Sequence, residues 1–122
     1  MSEKKIILVE DDFLIQKILA KHLSKIGFEV CSFDNGLEAY NFFNSLKEKP
    51  DLMITDIMLP HLDGTELMSK IKMEKKEFPI IAITAMETHQ IAYKSNERFD
   101  RIFQKPFNLS DLEDAIQEIL IS

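Results

Sequence analysis

Glycine is scarce in this chain: only Gly27, Gly36 and Gly64 occur among 122 residues. A G-x-G-x-x-G dinucleotide loop or a Walker P-loop is therefore arithmetically absent. Cysteine occurs once, so no internal disulfide forms, and Cys31, inside the apolar stretch 30–33, reads as a small buried residue in a reducing compartment. Basic residues are outnumbered, with 15 Lys+Arg against 21 Asp+Glu and a formal net charge of −6. Lys4-Lys5 and Lys75-Lys76 are isolated pairs with acids nearby, so no basic patch offers a grip on nucleic-acid phosphates or on an anionic membrane surface. Long hydrophobic runs are missing too. The first, 6–9, ends at Glu10 after four residues, too short for a signal peptide or a membrane span. These absences lead us to expect a cytoplasmic protein with no membrane insertion and no direct nucleic-acid partner.

What is present is an ordinary globular composition, 45% hydrophobic and 30% charged, at a length that supports its own core without disulfides or a structural metal. Two kinds of apolar segment alternate along it. Short continuous runs at 6–9, 29–33, 52–55, 80–84 and 102–103 suit strands, most of them rich enough in Ile and Val to be buried on both faces of a parallel sheet. Between them the spacing is helical. Residues 13–26 place Leu14, Ile18, Leu19, Leu23 and Ile26 on one stripe, with Gly27 at the C-terminal stop. Leu37, Tyr40, Phe43 and Leu46 form a second stripe, and Leu67, Met68 and Ile71 a third. Asn108 caps a last helix lined by Leu109, Leu112, Ile116, Ile119 and Leu120. The stretch 86–100 is the weakest, with polar residues set against only Ile91, Ala92, Tyr93 and Phe99, and we expect a short or loosely held fourth helix there. Strand and helix repeated five times predict an α/β fold, a three-layer α/β/α sandwich with a doubly wound, parallel five-stranded sheet.

Ligands of such sheets bind beyond the carboxyl ends of the strands. The residues that follow the apolar runs are Glu10, Asp11 and Asp12, then Asp56, Thr84 and Lys105: four acids, a hydroxyl and an ammonium on one rim. Crowded carboxylates repel one another and call for a cation, and a few hard oxygen ligands suit Mg²⁺ better than zinc. One of the three consecutive acids is accounted for by a helix N-terminus, where the dipole favours negative charge.

The sequence Leu8-Val9-Glu10-Asp11-Asp12, the stretch from Asp56 through Pro60 to Gly64, Ile83-Thr84-Ala85 and Lys105-Pro106-Phe107, all in order and each at a strand end, resemble the receiver domain of two-component response regulators, the CheY-like family. The resemblance runs from Ile6 to about Leu120 and implies the strand order 2-1-3-4-5 of that fold. It further implies that Asp56 is the phosphoacceptor and that Asp12 and Asp56 bind Mg²⁺ directly, with Asp11 acting through water and Met58 through its backbone carbonyl. Lys105 would pair with the phosphoryl oxygens, and Thr84 and Ala85 would form the phosphoryl-binding switch. Lys105-Pro106 would be a cis peptide. The implied donor is a sensor histidine kinase or a His-containing phosphotransfer protein, and the output is an unidentified downstream protein or a phosphorylation-dependent dimer. On this reading residues 1–122 are a single, stand-alone receiver domain without an output domain, a phosphoacceptor rather than an enzyme.

Three positions depart from the family pattern, all between Thr84 and Lys105. Ile102 stands where the family carries Tyr or Phe, which makes it the output-surface candidate; Arg98 stands where a glycine is usual; and the interval is one residue short. Phe103 is no substitute for the missing aromatic, because strand side chains alternate faces. Met58 and Met86, two past Asp56 and two past Thr84, would flank an acyl phosphate. Two other readings are a degenerate, phosphorylation-independent interaction module and a receiver excised from a longer multidomain regulator or hybrid kinase. A phosphatase of the haloacid dehalogenase type would place its nucleophile after the first strand with a second Asp two residues on, and here the isolated acid is Asp56.

Overall fold

Val, Ile and Leu dominate the first, third and fourth of the short runs, and each of the five forms a strand: β1 (Lys5–Val9), β2 (Glu29–Phe33), β3 (Leu52–Asp56), β4 (Ile80–Thr84) and β5 (Arg101–Gln104). The computed structural model describes residues 3–121. All strand pairs are parallel, in the order β2-β1-β3-β4-β5. β3 and β4 are buried along their whole length, as inner strands covered on both faces must be, whereas the edge strands β2 and β5 are only half-buried.

Alternation along the strands builds two cores. Ile7, Val9, Met53, Ile80 and Ala82 face α2 (Gly36–Ser45) and α3 (Gly64–Glu74), meeting Phe43, Leu67, Met68 and Ile71. Ile6, Leu8, Leu52, Ile54, Ile81 and Ile83 face α1 (Phe13–Lys25) and α4 (Leu109–Ile121), meeting Leu19, Leu23, Leu112, Ala115 and Ile116. Side-chain oxygens of Asp12, Asn35 and Asp63 cap the first three helices, and α4 begins directly after Asn108. Gly27, at φ 108°, takes the left-handed conformation expected of the residue after α1.

Two expectations need correction. The α1 stripe is rotated: Ile15, Leu19 and Leu23 face the core, while Leu14 and Ile18 are 67% and 50% exposed beside Phe13 at 71%. The fourth helix does not form, leaving four α-helices rather than five among the described residues and, between β4 and β5, a 3-10 turn at Thr88–Gln90. The sequence there lacks an apolar stripe at helical spacing. From Ile91 to Phe99 burial instead alternates residue by residue, with Ile91 and Phe99 buried at the two ends and Tyr93 half-buried between them. This strap is pinned to α3 by Ser69 Oγ to Ser95 Oγ at 2.8 Å and by Lys72 Nζ to Asp100 Oδ2 at 2.7 Å. Asp100 Oδ2 also accepts from Ile80 N at 2.7 Å, which ties the end of the strap to the start of β4. The Arg98 guanidinium lies 4.0 Å from the Tyr93 ring, so the position expected to carry a glycine holds a stacked arginine.

Candidate functional site

Parallel strands bring their carboxyl ends to one edge, and the residues gathered there are Glu10, Asp11, Asp56, Thr84 and, from the loop after β5, Lys105. Glu10 extends the β1 ladder by one residue, its N–H donating to Phe33 O at 3.0 Å, and its side chain is fully buried. One carboxylate oxygen each of Glu10, Asp11 and Asp56 lies within 4.8 Å of the others. Lys105 Nζ bridges two of these acids, 2.7 Å from Glu10 Oε1 and 2.8 Å from Asp56 Oδ2. Three carboxylates facing one ammonium leave two negative charges, and hard oxygen donors in that number fit a divalent cation such as Mg²⁺.

Asp12 does not join them. Its carboxylate accepts from Ile15 N at 3.0 Å as the N-cap of α1, while its own N–H donates to Glu10 Oε2 at 3.0 Å. Asp12 thus uses one carboxylate oxygen to cap α1, and Glu10, which sequence reasoning placed on the rim without a role, holds Lys105 at its centre. The cap is legible from the position of Asp12 just ahead of Phe13.

Burial pushes the Glu10 carboxyl above its ordinary pKa, partly opposed by the Lys105 hydrogen bond. Burial works against the Lys105 ammonium as well, but hydrogen bonds to Asp56 and Glu10 outweigh it and raise the lysine above its usual value. Thr84 is fully buried; its Oγ1 accepts from Met86 N at 3.1 Å, and its carbonyl accepts from Lys105 N at 2.7 Å. Ala85 is exposed on the same rim. Met58 N donates to Asp56 Oδ1 at 3.2 Å, and the Met58 side chain is 62% exposed. The Lys105-Pro106 peptide is cis, as expected.

Gly64 holds this geometry by having no side chain. A Cβ there would stand 2.3 Å from the Asp56 carbonyl oxygen and 2.7 Å from Ile57 Cα. The requirement is close approach of the α3 start to the end of β3, rather than the unusual turn geometry that Asp63-Gly64 suggests. Ile102 packs with the α2/α3 core and Phe103 with the α1/α4 core, so the two residues point to opposite faces of the sheet, as the alternation predicts.

A family model for the response regulator receiver domain matches residues 6–117. The chain belongs to the response regulator receiver family. It is 36% identical to the response regulator receiver protein CpdR of Brucella abortus over 121 residues, covering 98% of each chain. It is 30% identical to sporulation initiation phosphotransferase F of Bacillus subtilis, covering 98% of this chain and 96% of that protein. It also matches transcriptional regulators of which it spans about half the length. Among solved structures, the response regulator TrrA from Thermotoga maritima in complex with Mg²⁺-BeF superposes with a TM-score of 0.85 at 32% identity, covering 96% of this chain and 99% of that one. The fold and strand order are those of a receiver, the phosphorylation-signalling domain of two-component systems. Among the described residues, no helix is long and apolar enough to cross a membrane.

Proposed function

We propose that this receiver takes a phosphoryl group onto Asp56 and that Mg²⁺ binds beside it, held by Asp12, Asp56 and the Met58 backbone carbonyl directly and by Asp11 through water, with Glu10 completing the acidic cluster. The observation that carries this reading is the Lys105 ammonium bonded at once to Glu10 and Asp56 at the end of the central strand. In the reaction an Asp56 carboxylate oxygen attacks the phosphorus of a phosphohistidine. The P–N bond breaks, the imidazole nitrogen takes up a proton, and an aspartyl phosphate forms. Positioning and charge neutralisation carry most of such a transfer. When bound, Mg²⁺ offsets the carboxylate charge and that of the phosphoryl oxygens. Lys105, a compact point charge on a flexible stem, follows an oxygen of the incoming group. Thr84 retains a hydroxyl hydrogen to donate to another, because in the present arrangement its oxygen only accepts.

The donor on this reading is a sensor histidine kinase or a His-containing phosphotransfer protein. Phe13, Leu14 and Ile18 are exposed at the start of α1, directly after Glu10-Asp11-Asp12. Beside them a cleft lined by Ile15, Leu19, Pro106, Phe107 and Leu109 carries the apolar surface across to α4. Such a surface suits the apolar stripe of a partner helix, and it would bring a histidine on that helix to the rim. Output through an inward-turning aromatic is disfavoured by Ile102, so we assign the response to the strap at 86–100, whose Met86 N–H rests on the Thr84 hydroxyl.

The test is incubation with Mg²⁺ and acetyl phosphate or phosphoramidate, followed by mass measurement. One added phosphoryl group on the wild type and none on Asp56→Ala is expected. No adduct on the wild type, or one that persists in Asp56→Ala, refutes the reading, and turnover of a small phosphoester would favour an enzyme instead.

A further inference from the structure

Five of the six methionines lie among the described residues, and their surroundings divide them sharply. Met53 and Met68 are buried in the core at 0% and 1% exposure, whereas Met58 is 62% and Met73 75% exposed. Met86 is half-buried. Met58 differs from Met73 in its position: its N–H donates to Asp56 Oδ1, and its side chain lines a cavity of about 480 Å³ together with Met86, Ile57, Leu59, Ala92 and Lys94. Met73 stands nine residues along α3 from Gly64, about 14 Å from the end of the helix that meets the site.

We propose that Met58 is a redox modification site: a hydroperoxide converts its thioether to the sulfoxide, and the modified side chain shortens the lifetime of the phosphate on Asp56. The inference rests on the reading of Asp56 as phosphoacceptor. The chemistry balances without a further reagent. The sulfur lone pair takes the distal oxygen of the peroxide, the O–O bond breaks, and the remaining oxygen leaves as water or an alcohol after gaining a proton; sulfur is oxidised and the peroxide reduced. Exposure governs which thioether reacts, and it sets Met58 and Met73 ahead of Met53, Met68 and Met86. The consequence follows from polarity. An unmodified Met58 offers no good acceptor to water, so with Met86 it presents an apolar wall beside the acyl phosphate. The sulfoxide oxygen is a hydrogen-bond acceptor, and the same wall then holds the water that hydrolyses the phosphate.

The experiment treats the protein with graded hydrogen peroxide, maps oxygen addition by peptide mass, loads each sample with acetyl phosphate and Mg²⁺, and follows phosphate loss once the donor is removed. One oxygen should appear on Met58 and Met73 before Met86, with Met53 and Met68 unmodified. Phosphate loss should accelerate severalfold in peroxide-treated wild type and in treated Met73→Leu, but should not respond to peroxide in Met58→Leu. Met58→Gln, which places a polar acceptor there without oxidation, should reproduce the fast loss. The proposal is overturned if Met58 stays unmodified while Met73 is fully oxidised, if loading succeeds but oxidised and untreated wild type lose phosphate equally fast, or if Met58→Leu responds to peroxide as the wild type does. An untreated protein that takes no phosphoryl group overturns the phosphoacceptor reading and this inference with it.

Discussion

Replacing Lys105 by methionine removes the ammonium and keeps a stem of similar length, which isolates its charge. Nζ lies 2.7 Å from a Glu10 carboxylate that is 0% exposed and 2.8 Å from an Asp56 side chain that is 8% exposed. Removing one member of a buried ion pair costs about 3–5 kcal/mol, because the remaining charge is left uncompensated. Lys105 itself keeps 19% exposure, and Glu10 escapes part of the penalty by taking up a proton, so the low end, about 3 kcal/mol near pH 8, is the expected loss. The proton makes the loss pH-dependent. Burial raises the Glu10 pKa above 4.5 in the fold, and Lys105 holds that rise in check. A folded value above the unfolded one means that neutral Glu10 stabilises the fold at low pH and that this contribution is lost as pH rises through the folded value. Without Lys105 the folded value climbs further, so Lys105→Met should lose less at pH 5 than at pH 8. A second signature lies at the alkaline end. The raised Lys105 pKa contributes stability that is present below 10.5 and lost as pH rises through the folded value, and the variant should lack that loss. Urea unfolding at pH 5 and pH 8, with and without Mg²⁺, measures the first effect. Mg²⁺ at ten times its dissociation constant adds about 1.4 kcal/mol to any fold that binds it, and at pH 8 it should narrow the gap to wild type, because the uncompensated acidic cluster gains more from a divalent cation. Equal destabilisation at pH 5 and pH 8, or a loss under about 1 kcal/mol at pH 8, would refute the assignment of Lys105 as the charge that holds this cluster together.

Gly64→Ala should cost about 1–3 kcal/mol and slow phosphoryl uptake, since its Cβ meets the backbone of Asp56 and Ile57; in Gly27→Ala, where nothing lies within 4 Å, left-handed strain alone should cost about 1 kcal/mol with uptake unchanged. Asp12→Ala should lose about 1 kcal/mol of helix capping together with its Mg²⁺-dependent thermal shift, and Asp11→Ala should weaken that shift; a full shift kept in Asp12→Ala would remove Asp12 from the ligand set. Met58→Asn, Met86→Glu and the double variant should release phosphate faster than wild type in a donor-removal assay, because each brings a hydrogen-bonding group to an apolar wall of the site. No acceleration in any of the three would mean that the two methionines have no part in excluding water.

Most of the fold was legible because its signals are local and redundant. Ile80-Ile81-Ala82-Ile83-Thr84 has no polar residue until its end, so only a strand covered on both faces accommodates it, and β4 is buried throughout. Leu14 and Ile18 were misread for a physical reason. They share an apolar face with Leu19 when only spacing is considered, and nothing in the spacing distinguishes a side chain covered by the sheet from one left at the surface. The missing fourth helix lies at the opposite extreme. Residues 86–100 have no stripe to read, and the strap is held instead by Ser69–Ser95 and Lys72–Asp100, pairs separated by 26 and 28 residues, so the contacts that decide the local structure lie outside the local sequence.

The division of roles among the three consecutive acids has the same origin, and it shows which information a strand end lacks. Glu10, Asp11 and Asp12 are chemically interchangeable as candidates until it is known where β1 stops and α1 starts. The sheet answers the first question: Val9 is the last residue in register, opposite Phe33 and Thr55, and Glu10 N still bonds Phe33 O, so Glu10 keeps the strand's direction and buries its side chain against Lys105. The helix answers the second: Asp12 has extended dihedrals and an oxygen on Ile15 N, so it caps α1 with one of its two carboxylate oxygens. Asp11, between the two, is the acid that neither element claims, and it is exposed, close to Asp56 and available to a cation. The strand end and the helix start thus give each of the three acids a different environment, which their order in the sequence alone does not reveal.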